Sequence, residues 1–235
     1  GFGAAVSISD GVAVVGASSN TGGSAYLFAK ADDGWTQVAV LKANDTLPGD
    51  QFGASVAISS ATVIVGAPDG TRGAGSAYVF GEVQGVWSEQ AHLQPRDRVR
   101  KFGTSIAIAG DLIVVGAPGD ADTPGVVYTY MRTGNDWEQH AKLTACSPSS
   151  ADGFGASVAV SGITTAVGSH SRTAHVFVRS AGAWARKAPL IRNTSHSFGH
   201  AVALDGSTLL AAAPQASNAV GLVYLYSDLR ARADV

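Results

Sequence analysis

Between Ser55 and Pro68 the chain reads SVAISSATVIVGAP, an alternating segment (Ser55-Val56-Ala57-Ile58), a short polar break, and then the apolar run Val63-Ile64-Val65. Alternation, a tight turn and a β-branched run predict two antiparallel strands joined as a hairpin. The same pattern follows Phe2, Phe52, Phe102, Phe154 and Phe198, whose spacings are 50, 50, 52 and 44 residues. In every copy a small residue falls 14 positions beyond the Phe: Gly16, Gly66, Gly116, Gly168 and Ala212. A constant offset requires a hairpin of constant register. The breaks Asp10-Gly11, Gly110-Asp111, Ser161-Gly162 and Asp205-Gly206 supply residues that tolerate positive φ, whereas Ser60-Ala61 is poor turn chemistry.

A third strand is expected at Ser24–Phe28, Ser76–Phe80, Val126–Tyr130, Thr173–Phe177 and Leu222–Tyr226. A fourth is marked by Trp35, Trp87, Trp137 and Trp184, each nine residues after Tyr26, Tyr78, Tyr128 or His175 and each followed six residues later by Leu41, Leu93, Leu143 or Leu190. That even spacing puts Trp and Leu on the same face of an extended strand, where both can pack against a neighbouring sheet. His175, in the tyrosine register, reads as a packed substitute. Four short strands and their turns account for a period near 50, the size of a propeller blade. The expected fold class is therefore all-β, a β-propeller of four-stranded antiparallel blades with five repeats visible. Residues 1–235 are expected to form one domain, itself possible as part of a longer chain. The fifth repeat is incomplete, with Ala233 where a Trp is due. Five blades could close a ring with a short last strand, or belong to a larger ring whose remaining blades or closing strand come from elsewhere. An unpaired final edge would invite another strand.

The Phe-Gly start and Gly-Ala-Pro end, seen as Phe52-Gly53 with Gly66-Ala67-Pro68 and Phe102-Gly103 with Gly116-Ala117-Pro118, resemble the FG-GAP repeat of the integrin α-subunit N-terminal propeller and of many secreted proteins. The resemblance implies an extracellular or cell-surface setting and a role in adhesion or partner binding. It also implies that the loops joining strands two and three, and strand four to the next blade, share the ligand-binding face. Many such blades carry an Asp-rich calcium loop between strands one and two. Calcium takes about six to eight oxygens, and here that connection is about two residues with at most one Asp, so no calcium is expected in these hairpins. Asp120 and Asp122, in the loop Pro118–Asp122, read as turn chemistry.

The remaining composition narrows the function. A net charge of -2 argues against general affinity for nucleic acid or anionic membrane. No apolar run approaches the ~18 residues of a membrane helix, and the chain opens inside a repeat, as a mature product or an excised fragment would. Cys146, the single cysteine, forms no internal disulfide and reads as a free thiol. The 18 acidic residues all fall outside the expected first three strands, with Glu89 and Glu138 on outer strands. No nucleophile elbow, phosphate loop or metalloprotease helix is present. The inner strands offer Ser55, Ala57, Ser105, Ala107, Ser157 and Ala159, which supply no acid pair. An enzyme is not expected.

Function should lie where the copies differ. Two places stand out: the basic run Arg96, Arg98, Arg100 and Lys101, broken by Asp97, and the histidines His170, His196 and His200 near one face of adjacent blades. The first suits an acidic partner or sulfated glycan. The second suits a pH-sensitive contact or, with an incomplete ligand set, a transition metal. Asn44 and Asn193 stand in glycosylation acceptor patterns. The expectation is a non-enzymatic extracellular binding or assembly module that grips a protein partner by loops or an exposed edge. The alternative is a lectin-like propeller with sugar pockets.

Overall fold

The computed structural model describes all residues except 20, 151, 171–172, 188–189, 192–196, 217–219 and 230–235, together with all but the side chains of 71, 72 and 191. Five antiparallel sheets follow one another along the chain. Blade 1 comprises β1 (Phe2–Ser9), β2 (Val12–Ala17), β3 (Ser24–Ala31) and β4 (Gly34–Leu41). Blade 2 comprises β5 (Ser55–Ser59), β6 (Thr62–Ala67), a one-turn helix α1 (Gly70–Gly73), β7 (Ser76–Val83) and β8 (Val86–Leu93). Blade 3 holds β9 (Ser105–Ala109), β10 (Leu112–Ala117), β11 (Val126–Thr133) and β12 (Asp136–Leu143). Blade 4 holds β13 (Ser157–Ser161), β14 (Thr164–Gly168), β15 (Thr173–Ser180), and a fourth strand in two pieces, β16 (Ala183–Arg186) and β17 (Leu190–Ile191). Blade 5 shows β18 (Ala201–Asp205), β19 (Thr208–Ala213) and β20 (Leu222–Tyr226); the Trp position at Ala233 lies outside the described residues. The first strands β1, β5, β9, β13 and β18 pack side by side in that order, which places them innermost. This is a five-bladed β-propeller.

The hairpin turns are all two residues long, including Ser60-Ala61, because Ser60 adopts a φ of 50° despite its side chain. Neighbouring blade 1 supports that strained turn: the Ser60 N–H donates to Ser9 Oγ at 3.4 Å, and the Ser60 hydroxyl donates to Asp10 Oδ2 at 3.2 Å. The third strands in blades 1 to 4 run eight residues, longer than expected, so Glu82 falls within β7, and Asp205 closes β18; both are exposed.

Trp and Leu of the fourth strand do not share a face. In β4, β8 and β12 one residue, Val38, Gln90 or His140, is extra relative to the third strand: Leu27 pairs with Ala39 and Phe28 with Gln37, and the other two blades repeat this. A β-bulge reverses side-chain parity. The leucine therefore faces the following blade and the tryptophan the preceding one. Leu93 and Trp137 meet in one apolar cluster, and Leu41 and Leu143 meet Trp87 and Trp184 in the same manner.

Four apolar clusters fill the spaces between successive blades. At the heart of each lies the repeat's Phe, with Phe52, Phe102, Phe154 and Phe198 at most 1% exposed. Each packs on two rings of its own third strand, as Phe102 does on Tyr128 and Tyr130 at centroid distances of 5.9 and 6.2 Å. Across the last three interfaces the hydroxyls of Ser55, Ser105 and Ser157 donate to the carbonyl oxygens of Gly103, Gly155 and Gly199 at 2.6, 2.7 and 3.0 Å. The glycines closing the second strands make this approach possible. A Cβ on Gly16, Gly66, Gly116 or Gly168 would overlap the carbonyl oxygen of the next blade's Phe-Gly pair.

Candidate functional site

Backbone contacts bring two kinds of loop onto one rim of the propeller. The connection leading into blade 3 lies on the loop after β6: Lys101 N–H donates to the Gly73 carbonyl at 3.2 Å and Phe102 N–H to Ala74 at 2.9 Å. In blade 4, His170 N–H donates to the Asp152 carbonyl at 2.8 Å. Two ion pairs and a hydrogen bond reinforce the rim: Lys101 Nζ and the Gln51 amide Nε2 both donate to the Asp69 carboxylate, and Arg100 Nε lies 3.6 Å from Asp120 Oδ2.

The basic run is thus divided by function. Val99, 7% exposed, is sunk in the core between blades 2 and 3 and pins the loop, so that Arg96, Arg98 and Arg100 stand exposed around it. Lys101 and Arg100 face Asp69 and Asp120. Arg96 and Arg98 have no carboxylate partner among the described residues. Asp97, the acid within the run, accepts from Lys142 Nζ at 2.6 Å and from the Tyr128 hydroxyl at 3.1 Å, which hold its carboxyl below the usual range. It therefore anchors the loop to blade 3.

His170 and His200 come together, their rings stacked at 5.9 Å; His196 lies outside the described residues. No third His, Cys, Asp or Glu joins the pair in a metal-binding group among the described residues. Asp120 and Asp122 form a local turn in which Asp122 N–H donates to Asp120 Oδ1 at 3.1 Å. Asn44 and Cys146 are exposed, whereas Asn193 lies outside the described residues.

His175 is 5% exposed and packs edge-on against Phe154 at 5.0 Å, in the place of the repeat's tyrosine. Burial, followed by the nearby Arg186 charge, lowers its pKa to about 4. The folded state therefore resists protonation that the unfolded chain accepts below about 6.5. Stability from this group is complete above that value and falls as pH drops toward 4. Between pH 7.5 and 4.5 the native chain should lose roughly 2 to 3 kcal/mol more than a His175→Tyr variant. Denaturant midpoints of both proteins at the two pH values measure this; equal losses would refute it.

One feature escaped the periodicity. A groove of about 370 Å³ runs between the outer strands β12 and β16, lined by His140, Lys142, Thr144, Phe177, Trp184 and Arg186. Within it Trp184 Nε1 and Arg186 Nε are buried without hydrogen-bond partners among the described residues. His140 belongs to it as the bulged residue of β12, and a bulge leaves no mark in an even Trp-to-Leu spacing.

The FG-GAP repeat family matches residues 35–80, 87–130 and 137–183, more than half of the chain. This propeller belongs to that family. Each matched unit starts at a Trp and ends within or just beyond the next blade's third strand, so the family's unit spans the blade interface. Among solved structures, the computationally designed Ika8 protein shares the fold with a TM-score of 0.59 at 16% identity, over 96% of this chain and 58% of its own. The present chain thus spans less than two thirds of that one. A comparison with curated proteins found no match.

Proposed function

We propose that this chain is a non-enzymatic binding or assembly module acting outside the cell, and that residues 1–235 serve as one domain. Its partner is a protein held by the rim loops or by an exposed edge. The observation that carries the reading is the division of labour in the repeat. Positions that recur form the blade interfaces, and the side chains peculiar to single repeats, exposed Arg96 and Arg98 and the stacked His170–His200 pair, gather on the loop rim. Loops on a rigid scaffold are where binding residues concentrate. FG-GAP propellers are typically binding folds found in extracellular proteins, which supports both halves of the proposal. The two-residue hairpin turns favour a module without calcium in those turns.

The test is the mass and subunit composition of the native particle. A complex with another polypeptide, weakened about tenfold or more by Arg96→Glu with Arg98→Glu, is expected. A lone monomer, or a complex indifferent to both changes, would refute the rim as the contact. The second reading is a lectin-like one, favoured by the groove in which Trp184 lies among His140, Lys142 and Arg186. Such a groove suits an acidic glycan, by stacking and charge-assisted hydrogen bonds. Specific binding on a glycan array, lost in Trp184→Ala, would decide for it.

A further inference from the structure

The repeat has a docking code, legible at its four interfaces. The leading face of each blade, toward its successor, supplies a glycine closing the second strand, a leucine from the fourth, and in blades 2 to 4 the serine that donates to the incoming Gly carbonyl. Serines ending the first strand accept from the next hairpin turn: Ser9 from Ser60 N–H, Ser59 from Gly110 N–H at 3.3 Å, and Ser161 from Gly206 N–H at 2.9 Å. The trailing face, toward the predecessor, supplies the Phe, two residues of the first strand and the Trp.

Blade 1 shows a complete trailing face that none of the described residues covers. Phe2, Val6, Ile8 and Trp35 are 65, 71, 63 and 47% exposed, whereas Phe52, Val56, Ile58 and Trp137 in the same repeat positions are 0, 7, 6 and 8% exposed. Gly3, with a φ of 85°, has the conformation of Gly53, Gly103, Gly155 and Gly199 at the occupied interfaces. The leading face of blade 5 is also open, with Leu210, Val223 and Leu225 exposed, but its code is broken. Ala212 stands where the other blades close the second strand with glycine, whereas Ala201, in the place of the donating serine of blades 2 to 4, matches Ala5 of blade 1, whose leading face is covered by blade 2. The Ala212 methyl occupies the space that an incoming Gly carbonyl needs.

From this asymmetry we propose that the outer face of blade 1 is a docking surface for one further FG-GAP blade from outside residues 1–235, one that closes its second strand with glycine and carries an acceptor side chain at the end of its first. Continuity with the existing interfaces supports it: at all four, the Phe and two first-strand residues of the trailing face are covered by a leading face with the closing glycine and the leucine, and at three of them that face also carries the serine acceptor ending its first strand. A second copy of this chain does not fit, because its blade 5 would bring the Ala212 methyl against the Gly3 carbonyl. The inference rests on the assembly reading only in naming the form of the partner. The surface itself is tested without any native partner, so the two can fail separately.

The test extends the full chain by placing a copy of residues 52–100 directly before Gly1, so that Gly1 takes the place of Lys101, which itself adopts a φ of 62° ahead of Phe102. Repeat 2 carries every element of the leading code: Ser55, Ser59, Gly66 and Leu93. Hydroxyl-radical footprinting should show oxidation of Trp35 and Phe2 falling at least threefold in the extended chain, and returning to the unextended level when the copy carries Gly66→Val. Undiminished oxidation would overturn the proposal. In the unextended chain, light scattering should give a monomer whose mass Val6→Asp leaves unchanged. A dimer that Val6→Asp dissolves would overturn it in favour of a second copy.

Discussion

Gly116→Val should cost about 3 to 5 kcal/mol, enough to separate blade 3 from blade 4 in a chain of this size. The added side chain has nowhere to go. Its Cβ alone overlaps the Gly155 carbonyl oxygen, and it crowds the Ser105 hydroxyl that donates to that same oxygen at 2.7 Å. The closest atom is the backbone carbonyl of Gly155, which no rotamer change can move, so the sheets must part. Separation would expose Leu112, Val114, Val127, Leu143 and Phe154, all now 4% exposed or less. Differential scanning calorimetry should show a fall of roughly 10 °C, or a split transition, since repeat arrays lose cooperativity when one interface fails. Ala212, at the same repeat position in blade 5, provides the internal control: with no following blade against it, Ala212→Val should cost under about 1 kcal/mol. Equal losses at the two positions would show that blade contact is not what the glycine serves.

Trp137→Ala should destabilise by about 3 to 5 kcal/mol, while Trp35→Ala should cost less than about 1 kcal/mol. The residues are equivalent in sequence and differ only in neighbours. Trp137 is 8% exposed against Leu93 of blade 2 and carries the Arg132 guanidinium 4.4 Å above its ring; Trp35 is 47% exposed with no blade behind it. Chemical denaturation of the two variants measures the difference. Comparable losses would contradict the assignment of the tryptophan to the face toward the preceding blade, and with it the polarity of the docking code.

Strand order and hairpin register were legible because each is a short-range matter: period-two alternation and a fixed Phe-to-Gly offset leave a hairpin one way to fold. His175 was legible for a related reason, as a residue in a register otherwise held by tyrosine. The faces of Trp and Leu were misread. Their even spacing is a true property of the sequence, but the bulges at Val38, Gln90 and His140 insert an odd residue, and no local residue type announces them. The basic run was legible as charge and not as geometry. Asp69 and Asp120, which engage Lys101 and Arg100, are 32 and 20 residues away and reach them only through the rim. The groove at Trp184 was invisible for the same reason, since its lining comes from strands of two blades.

By itself, then, the sequence determined the blade: four strands, their order, their turns and the small residue that closes the second strand, all set by steric and apolar periodicity within about 50 residues. Tertiary structure alone decided which way each blade faces, which charges neutralise one another, and where the propeller stands open. Those depend on surfaces brought together from different repeats, and the open face of blade 1 shows the difference most plainly: Phe2, Val6 and Trp35 match their buried counterparts in type and are exposed only because no blade lies against them.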